Sequence, residues 1–238
     1  MQAEARIVTL DAKPEPVEIA LSRSAVLVVD MQNDFGARGG MFDRAGIDIA
    51  PIEQVVDSTA RVLNAARSVG LTVIYLVMQF SPDLADAGSP DSPNRIKHRP
   101  LALGETTSAP NGRTGRILVE GTWNSEILPK LTPQQGDLVV PKHRYSGFFE
   151  TNLDSILRAR GIQHLIVTGC TTSVCVESTV RDAMFRDYHC VVLEDCTAEP
   201  IGADLPRTNH EASLLNIQLL FGWVSNSDRF IESLVRNS

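Results

Sequence analysis

No CxxC pair and no Cys/His zinc spacing occurs in this chain. Its four cysteines, Cys170, Cys175, Cys190 and Cys196, cluster late in 238 residues. That arrangement does not suit a secreted disulfide framework, so a reducing cytoplasm is the expected compartment. Nowhere does an apolar run approach the roughly 20 residues of a membrane-crossing helix. Positive charge is also short: 22 Lys and Arg stand against 29 Asp and Glu, a formal net charge of −7. A general nucleic-acid or anionic-membrane surface is therefore not expected. Met1 to Arg6 lack a basic region followed by an apolar block, so no signal peptide is expected. Neither a repeat nor a linker divides the chain, and one domain over 1–238 is expected. What remains is an ordinary globular composition, 43% hydrophobic and 21% charged, long enough to bury a large core.

The pattern along the chain alternates strands with helices. Residues 25–29, Ala-Val-Leu-Val-Val, are a continuous apolar run, as in a strand buried on both faces. Residues 52–69 have a helical period, Gly70 ends that helix, and 71–77 form the next strand. Further strands are expected at 137–141, 164–168 and 189–194, with helices at 151–160, 174–187 and about 207–220, and an edge strand at 221–224. Such alternation predicts a three-layer α/β/α fold with a mostly parallel sheet of about five to six strands. Two segments break the rhythm. Residues 1–23 read as a polar arm, and 81–122, rich in Ser-Pro and Asn-Gly steps, read as a long irregular loop of the kind used as a lid, binding loop or subunit contact.

Three strand ends carry chemistry: Asp30, Lys142 and Cys175. In open parallel sheets, ligands bind beyond the carboxyl ends of the strands. Cys175 follows a Gly/Thr/Ser turn at the expected start of a helix, where free N–H groups and the macrodipole favour a thiolate. Asp30 is placed to take the thiol proton and return it to a leaving amine, and Lys142 to stabilise both negative charges. Attack on an amide carbonyl then gives a thioester that water hydrolyses. The backbone N–H groups of Thr171 and Cys175 are the expected oxyanion donors, one such donor typically contributing about 3 kcal/mol. His143, next to Lys142, is expected to point to the opposite face. His98, His164, His189 and His210 read as structural or surface residues, and Cys170, Cys190 and Cys196 as structural.

These residues sit in longer matches. Val28-Val29-Asp30-Met31-Gln32-Asn33-Asp34-Phe35, the Pro141-Lys142 strand end, and Gly169-Cys170-Thr171-Thr172-Ser173-Val174-Cys175-Val176 resemble the isochorismatase-like cysteine hydrolases, in the family's order and spacing over about residues 20 to 230. The resemblance implies an Asp30–Lys142–Cys175 triad and a cis peptide between Cys170 and Thr171 that turns the Thr171 N–H into the oxyanion hole. It points to the branch acting on small linear ureido or carbamoyl amides of the ureidoacrylate, biuret or triuret type, releasing ammonia or carbamate. It also implies no cofactor, since the Asp and two His of the metal-holding nicotinamidase branch have no counterpart around Ser81-Pro82-Asp83, and a homodimer or homotetramer built through the arm and long loop. Where ureidoacrylate enzymes tend to carry Asn and Trp, this chain has Val77-Met78-Gln79-Phe80, so its substrate need not be theirs. Phe35, Gln79, Phe80, Tyr145 and Phe149 are the expected pocket residues, and Gln218 lies one position from where biuret hydrolases place a glutamine. Arg113 and Arg116 read as solvated loop charges that an anionic substrate would also suit.

Other readings are weaker. An N-carbamoyl amino acid amidase uses the same machinery. A non-catalytic α/β binding module would lack a triad member, and none is lacking. A redox thiol needs a resolving cysteine, for which Cys170 qualifies weakly. Isochorismate hydrolysis in this family does not depend on a nucleophilic cysteine.

Overall fold

The apolar run at Ser24–Val29 is the centre of a six-stranded sheet. The structure, a computed structural model, describes residues 6–110 and 112–235. Strands β1 (Ile7–Leu10) and β2 (Val17–Ala20) come first, then β3 (Ser24–Val29), β4 (Thr72–Met78), β5 (Thr106–Ser108), β6 (Thr114–Arg116), β7 (Leu138–Lys142), β8 (His164–Cys170), β9 (His189–Ala198) and β10 (Trp223–Ser225). The main sheet has the order β10-β9-β8-β3-β4-β7, and every pair in it is parallel.

Alternation along β3 divides the core in two. Val26 and Val28 join one buried cluster with Val62, Leu63 and Ala66 of the helix Val56–Ser68. Ala25, Leu27 and Val29 join the other with Leu153 and Leu157 of Leu153–Ala159 and Val180 and Ala183 of Glu177–Met184. Both faces of the sheet are thus covered, which is why its strands read as unbroken apolar runs. Burying one such Val or Leu side chain contributes about 1.5–3 kcal/mol.

From β3 the chain steps outward through β4 to β7, then returns to the other flank of β3 as β8. The strand order therefore reverses between β3 and β8, and a crevice opens beyond their carboxyl ends. Asp30 follows β3 directly, and the turn carrying Cys175 follows β8. Lys142 is the last residue of β7, in register with Met78 at the end of β4.

Several expectations change. The expected arm, of which residues 1–5 lie outside the described residues, is a β1–β2 hairpin with Val8, Leu10, Val17 and Ile19 buried. Segment 81–122 is more ordered than expected: it holds a short helix, Pro93–His98, and the β5–β6 hairpin, and Ile117, Leu118 and Val119 anchor it in the core. The expected 174–187 helix begins as a π-helical turn, Thr172–Val176, before Glu177–Met184. The 207–220 helix likewise divides into Asn209–Asn216 and a π-helical turn, Ile217–Phe221. A further helix, Ser227–Val235, packs Phe230 and Leu234 into the core and had no counterpart in the sequence reading. Among the described residues no helix is long and apolar enough to cross a membrane.

Candidate active site

The backbone leaves β3 through a left-handed residue, Asp30, at φ +51°. Short polar residues tolerate that region better than most side chains do. The turn is pinned by the Asp30 N–H donating to the Leu76 carbonyl at 2.9 Å. It places the Asp30 carboxylate 2.7 Å from the Lys142 ammonium, and both side chains are fully buried. The Met78 N–H donates to the other carboxylate oxygen at 3.0 Å. Lys142 also donates to the Arg144 carbonyl at 3.2 Å. Gln32 braces this corner, donating from its side-chain amide to the Met78 and Ser125 carbonyls, each at 3.0 Å.

Cys175 joins the pair. Its buried thiol lies within electrostatic reach of both the Asp30 carboxylate and the Lys142 ammonium. Three groups remote in sequence thus form one contact cluster. The electrostatics differ from the helix-start argument. Burial pushes the Cys175 thiol well above its ordinary value; Lys142 pulls it down and Asp30 pushes it up further. Cys175 also lies within the π-helical turn rather than at a free helix end, and desolvation outweighs any dipole there. The expectation of a resting thiolate is therefore corrected: burial raises the thiol's pKa and favours its protonated form. Burial likewise raises the Asp30 carboxyl against the pull of Lys142, which makes it a stronger base. At Lys142 burial disfavours the ammonium, but Asp30 and Cys175 more than offset this and hold its pKa above the ordinary range.

Cys175 borders a cavity of about 100 Å³ lined by Phe35, Met41, Phe42, Met78, His98, Leu101, Tyr145, Thr171, Val174 and Ile201. The Cys170–Thr171 peptide is cis. Cys170 is buried and its thiol donates to the Asp30 carbonyl at 3.2 Å, while burial pushes its pKa well up. The turn is held from below by Glu199, which accepts from the Ser173 N–H at 2.8 Å and from the Ser173 hydroxyl at 2.5 Å.

Of the residues expected to shape the pocket, Phe35 and Tyr145 line it. Gln79, Phe80 and Phe149 are outside its lining. The Gln79 carbonyl contacts His143 Nδ1 at 2.7 Å, Phe80 is fully buried beside His98 and His143, and Phe149 is exposed with Arg144 over its ring. Gln218 lies in a separate hollow with His189 and Trp223, the first residues of β9 and β10, at the opposite end of the sheet from the cluster. Arg113 pairs with Glu126 at 3.0 Å, and Arg116 donates to the Gly104 and Pro82 carbonyls, so both secure the long segment. His98, read as structural, is buried and lines the cavity. Its sequence neighbourhood carries no sign of this, because the contact depends on how 81–122 folds back.

Asp34 belongs to the Val28–Phe35 run, which by itself gives it no separate role. It is buried and accepts from the Met41 N–H at 2.9 Å, the Leu118 N–H at 2.6 Å and the Asn124 amide at 2.6 Å, which ties the long segment to the turn after β3.

The fold and this cluster define a family. Residues 24–229 match the Isochorismatase domain, and the chain belongs to that family. It is 45% identical over 224 residues to ureidoacrylate amidohydrolase of Variovorax paradoxus, covering 94% of this chain and 86% of that protein. It is 43% identical over 228 residues to ureidoacrylate amidohydrolase of Klebsiella pneumoniae, covering 96% of this chain and 94% of that one. Among solved structures, a cysteine hydrolase from Pseudomonas syringae pv. phaseolicola superposes with a TM-score of 0.77 at 28% identity, over 99% of this chain and 100% of that one. N-carbamoylsarcosine amidase from Thermoplasma acidophilum superposes at 0.63 with 30% identity, over 87% and 97%.

Proposed function

We propose that this protein is a cysteine amidohydrolase that cleaves a C–N bond of a small linear ureido or carbamoyl compound, with ureidoacrylate first in line and biuret and triuret next. The observation carrying this reading is the buried Asp30–Lys142 pair at 2.7 Å beside the buried Cys175 thiol, which lines a small cavity. The likeness to two ureidoacrylate amidohydrolases over nearly the whole chain supports the substrate class.

In this mechanism substrate entry displaces water, and Asp30 takes the thiol proton as sulfur attacks the carbonyl carbon. Lys142 balances the charge throughout: the cluster starts as carboxylate, ammonium and thiol and passes to carboxylic acid, ammonium and thiolate. No net charge enters the buried site, which keeps a proton transfer from a high-pKa thiol feasible. The Thr171 and Cys175 N–H groups receive the oxyanion. Asp30 returns the proton to the departing nitrogen, leaving a thioester on Cys175. Water, deprotonated by Asp30, then releases the acyl group and restores the thiol. The products are an amine with carbamate, or ammonia with the remaining acid.

The reading includes a single domain, action in the cytoplasm, no resident cofactor, no nucleic-acid or membrane partner, and a homodimer or homotetramer whose contacts include the long segment. A panel of ureidoacrylate, biuret, triuret, N-carbamoyl amino acids and nicotinamide, compared by kcat/KM, tests it. Highest efficiency on a ureido compound is expected; nicotinamide as best substrate contradicts it. N-carbamoyl amino acids are the second reading, favoured by the 30% identity to N-carbamoylsarcosine amidase.

A further inference from the structure

His98 is the imidazole on the wall of an otherwise largely apolar cavity. It ends the short helix Pro93–His98, whose first turn is capped by the Ser92 hydroxyl accepting from the Arg95 N–H at 3.3 Å. Its Nδ1 lies 2.8 Å from the Asn94 carbonyl oxygen. A carbonyl only accepts, so Nδ1 carries the proton, and in the neutral ring Nε2 presents a lone pair. Among the described residues Nε2 has no hydrogen-bond partner, and unlike His164 Nδ1 it is not sealed inside the protein. The ring is packed against Tyr145, with centroids 5.7 Å apart, and against Phe80, at 6.1 Å and an interplanar angle of 75°. Burial, together with Lys142 and Arg144, holds the imidazole below its ordinary pKa and so neutral.

A fixed acceptor in an apolar pocket selects a ligand with an N–H to donate. Ureido groups are rich in such donors, and an ester or ketone of the same shape has none. We propose that His98 Nε2 accepts a hydrogen bond from a ureido N–H of the substrate and so sets specificity and orients the carbonyl carbon toward Cys175. This rests on the ureido reading above and adds which side chain recognises the group.

Three substitutions separate recognition from structure. A glutamine amide reaches the position of Nε2, an asparagine amide stops near Nδ1, and phenylalanine keeps the ring without either nitrogen. With ureidoacrylate as probe, His98→Phe and His98→Asn are expected to raise KM about tenfold, while His98→Gln stays within about threefold of wild type. A structural role through Asn94 predicts the reverse order for Asn and Gln, and that order overturns the proposal. A second measurement leaves the ring intact: in the Cys175→Ala protein, the Nε2 ¹⁵N resonance of His98 should move upfield when ureidoacrylate binds. A resonance unmoved at saturation overturns the proposal even if a His98 variant fails to fold. If wild type hydrolyses no ureido compound in the panel, the ureido reading fails and this inference with it. Hydrolysis with KM indifferent to His98 removes this inference alone.

Discussion

Replacing Lys142 by Met removes the ammonium and leaves the Asp30 carboxylate fully buried, with the Met78 N–H as a remaining donor. Breaking a buried pair from one side costs about 3–5 kcal/mol, because the surviving charge has lost both water and its counter-ion. Unfolding entropy of about 2.1 cal/mol/K per residue, over 238 residues, converts that loss into a fall in Tm of about 6–10 °C. Exchanging both partners, Asp30→Leu with Lys142→Met, should recover much of it, since two apolar groups leave no orphan charge. The pH dependence has a defined sign. The folded-state pKa of Lys142 is raised above 10.5, so its stabilisation is fully present below that value and lost as pH rises through the folded one. Thermal unfolding of wild type, both singles and the double, followed by circular dichroism, reads all of this. An unchanged Tm in Lys142→Met, or strict additivity in the double, refutes the buried pair.

Asp34 is pushed from 3.8 up to about 6, with burial outweighing its three donors. Its folded pKa is raised, so its contribution to stability is fully present below pH 3.8 and lost as pH rises through about 6. A ¹³C carboxyl titration should show that midpoint, and one at or below 3.8 contradicts it. Iodoacetamide should alkylate Cys175 slowly near neutral pH, with a rate still climbing at alkaline pH because burial holds the thiol protonated. A plateau near neutrality would restore the resting thiolate. Gly169→Ala should destabilise by at least about 3 kcal/mol. The residue has φ +113°, and an added Cβ would lie 2.1 Å from the Val29 carbonyl oxygen. A Tm equal to wild type contradicts that packing.

What the sequence made legible was whatever is written locally. The strands stood out because a sheet covered on both faces demands unbroken runs such as Ala25 to Val29. Asp30, Lys142 and Cys175 stood out because a parallel sheet collects its strand ends on one side; Asp30 and Lys142 pair at 2.7 Å, with the buried Cys175 thiol within their electrostatic reach. The β1–β2 hairpin was obscured because only alternate residues are buried, so Ile7–Leu10 and Val17–Ala20 read as a polar arm. Thiol acidity was misjudged for a different reason: a helix start is visible in sequence, but full burial of Cys175 is tertiary and decides the sign. His98 and Asp34 were missed because their partners, Tyr145 and Leu118 among them, come from distant segments. Gln218 was carried over from relatives by position alone, and the fold puts it at the far end of the sheet.

The central claim is that sulfur of Cys175 forms a bond to the substrate carbonyl carbon. Acid-quenched turnover of carbonyl-¹³C ureidoacrylate, followed by peptide mass spectrometry, tests it together with the rate of the Cys175→Ala protein. The account predicts label on the peptide bearing Cys175 in wild type, and loss of both label and turnover in the variant. Turnover by Cys175→Ala at the wild-type rate would contradict it.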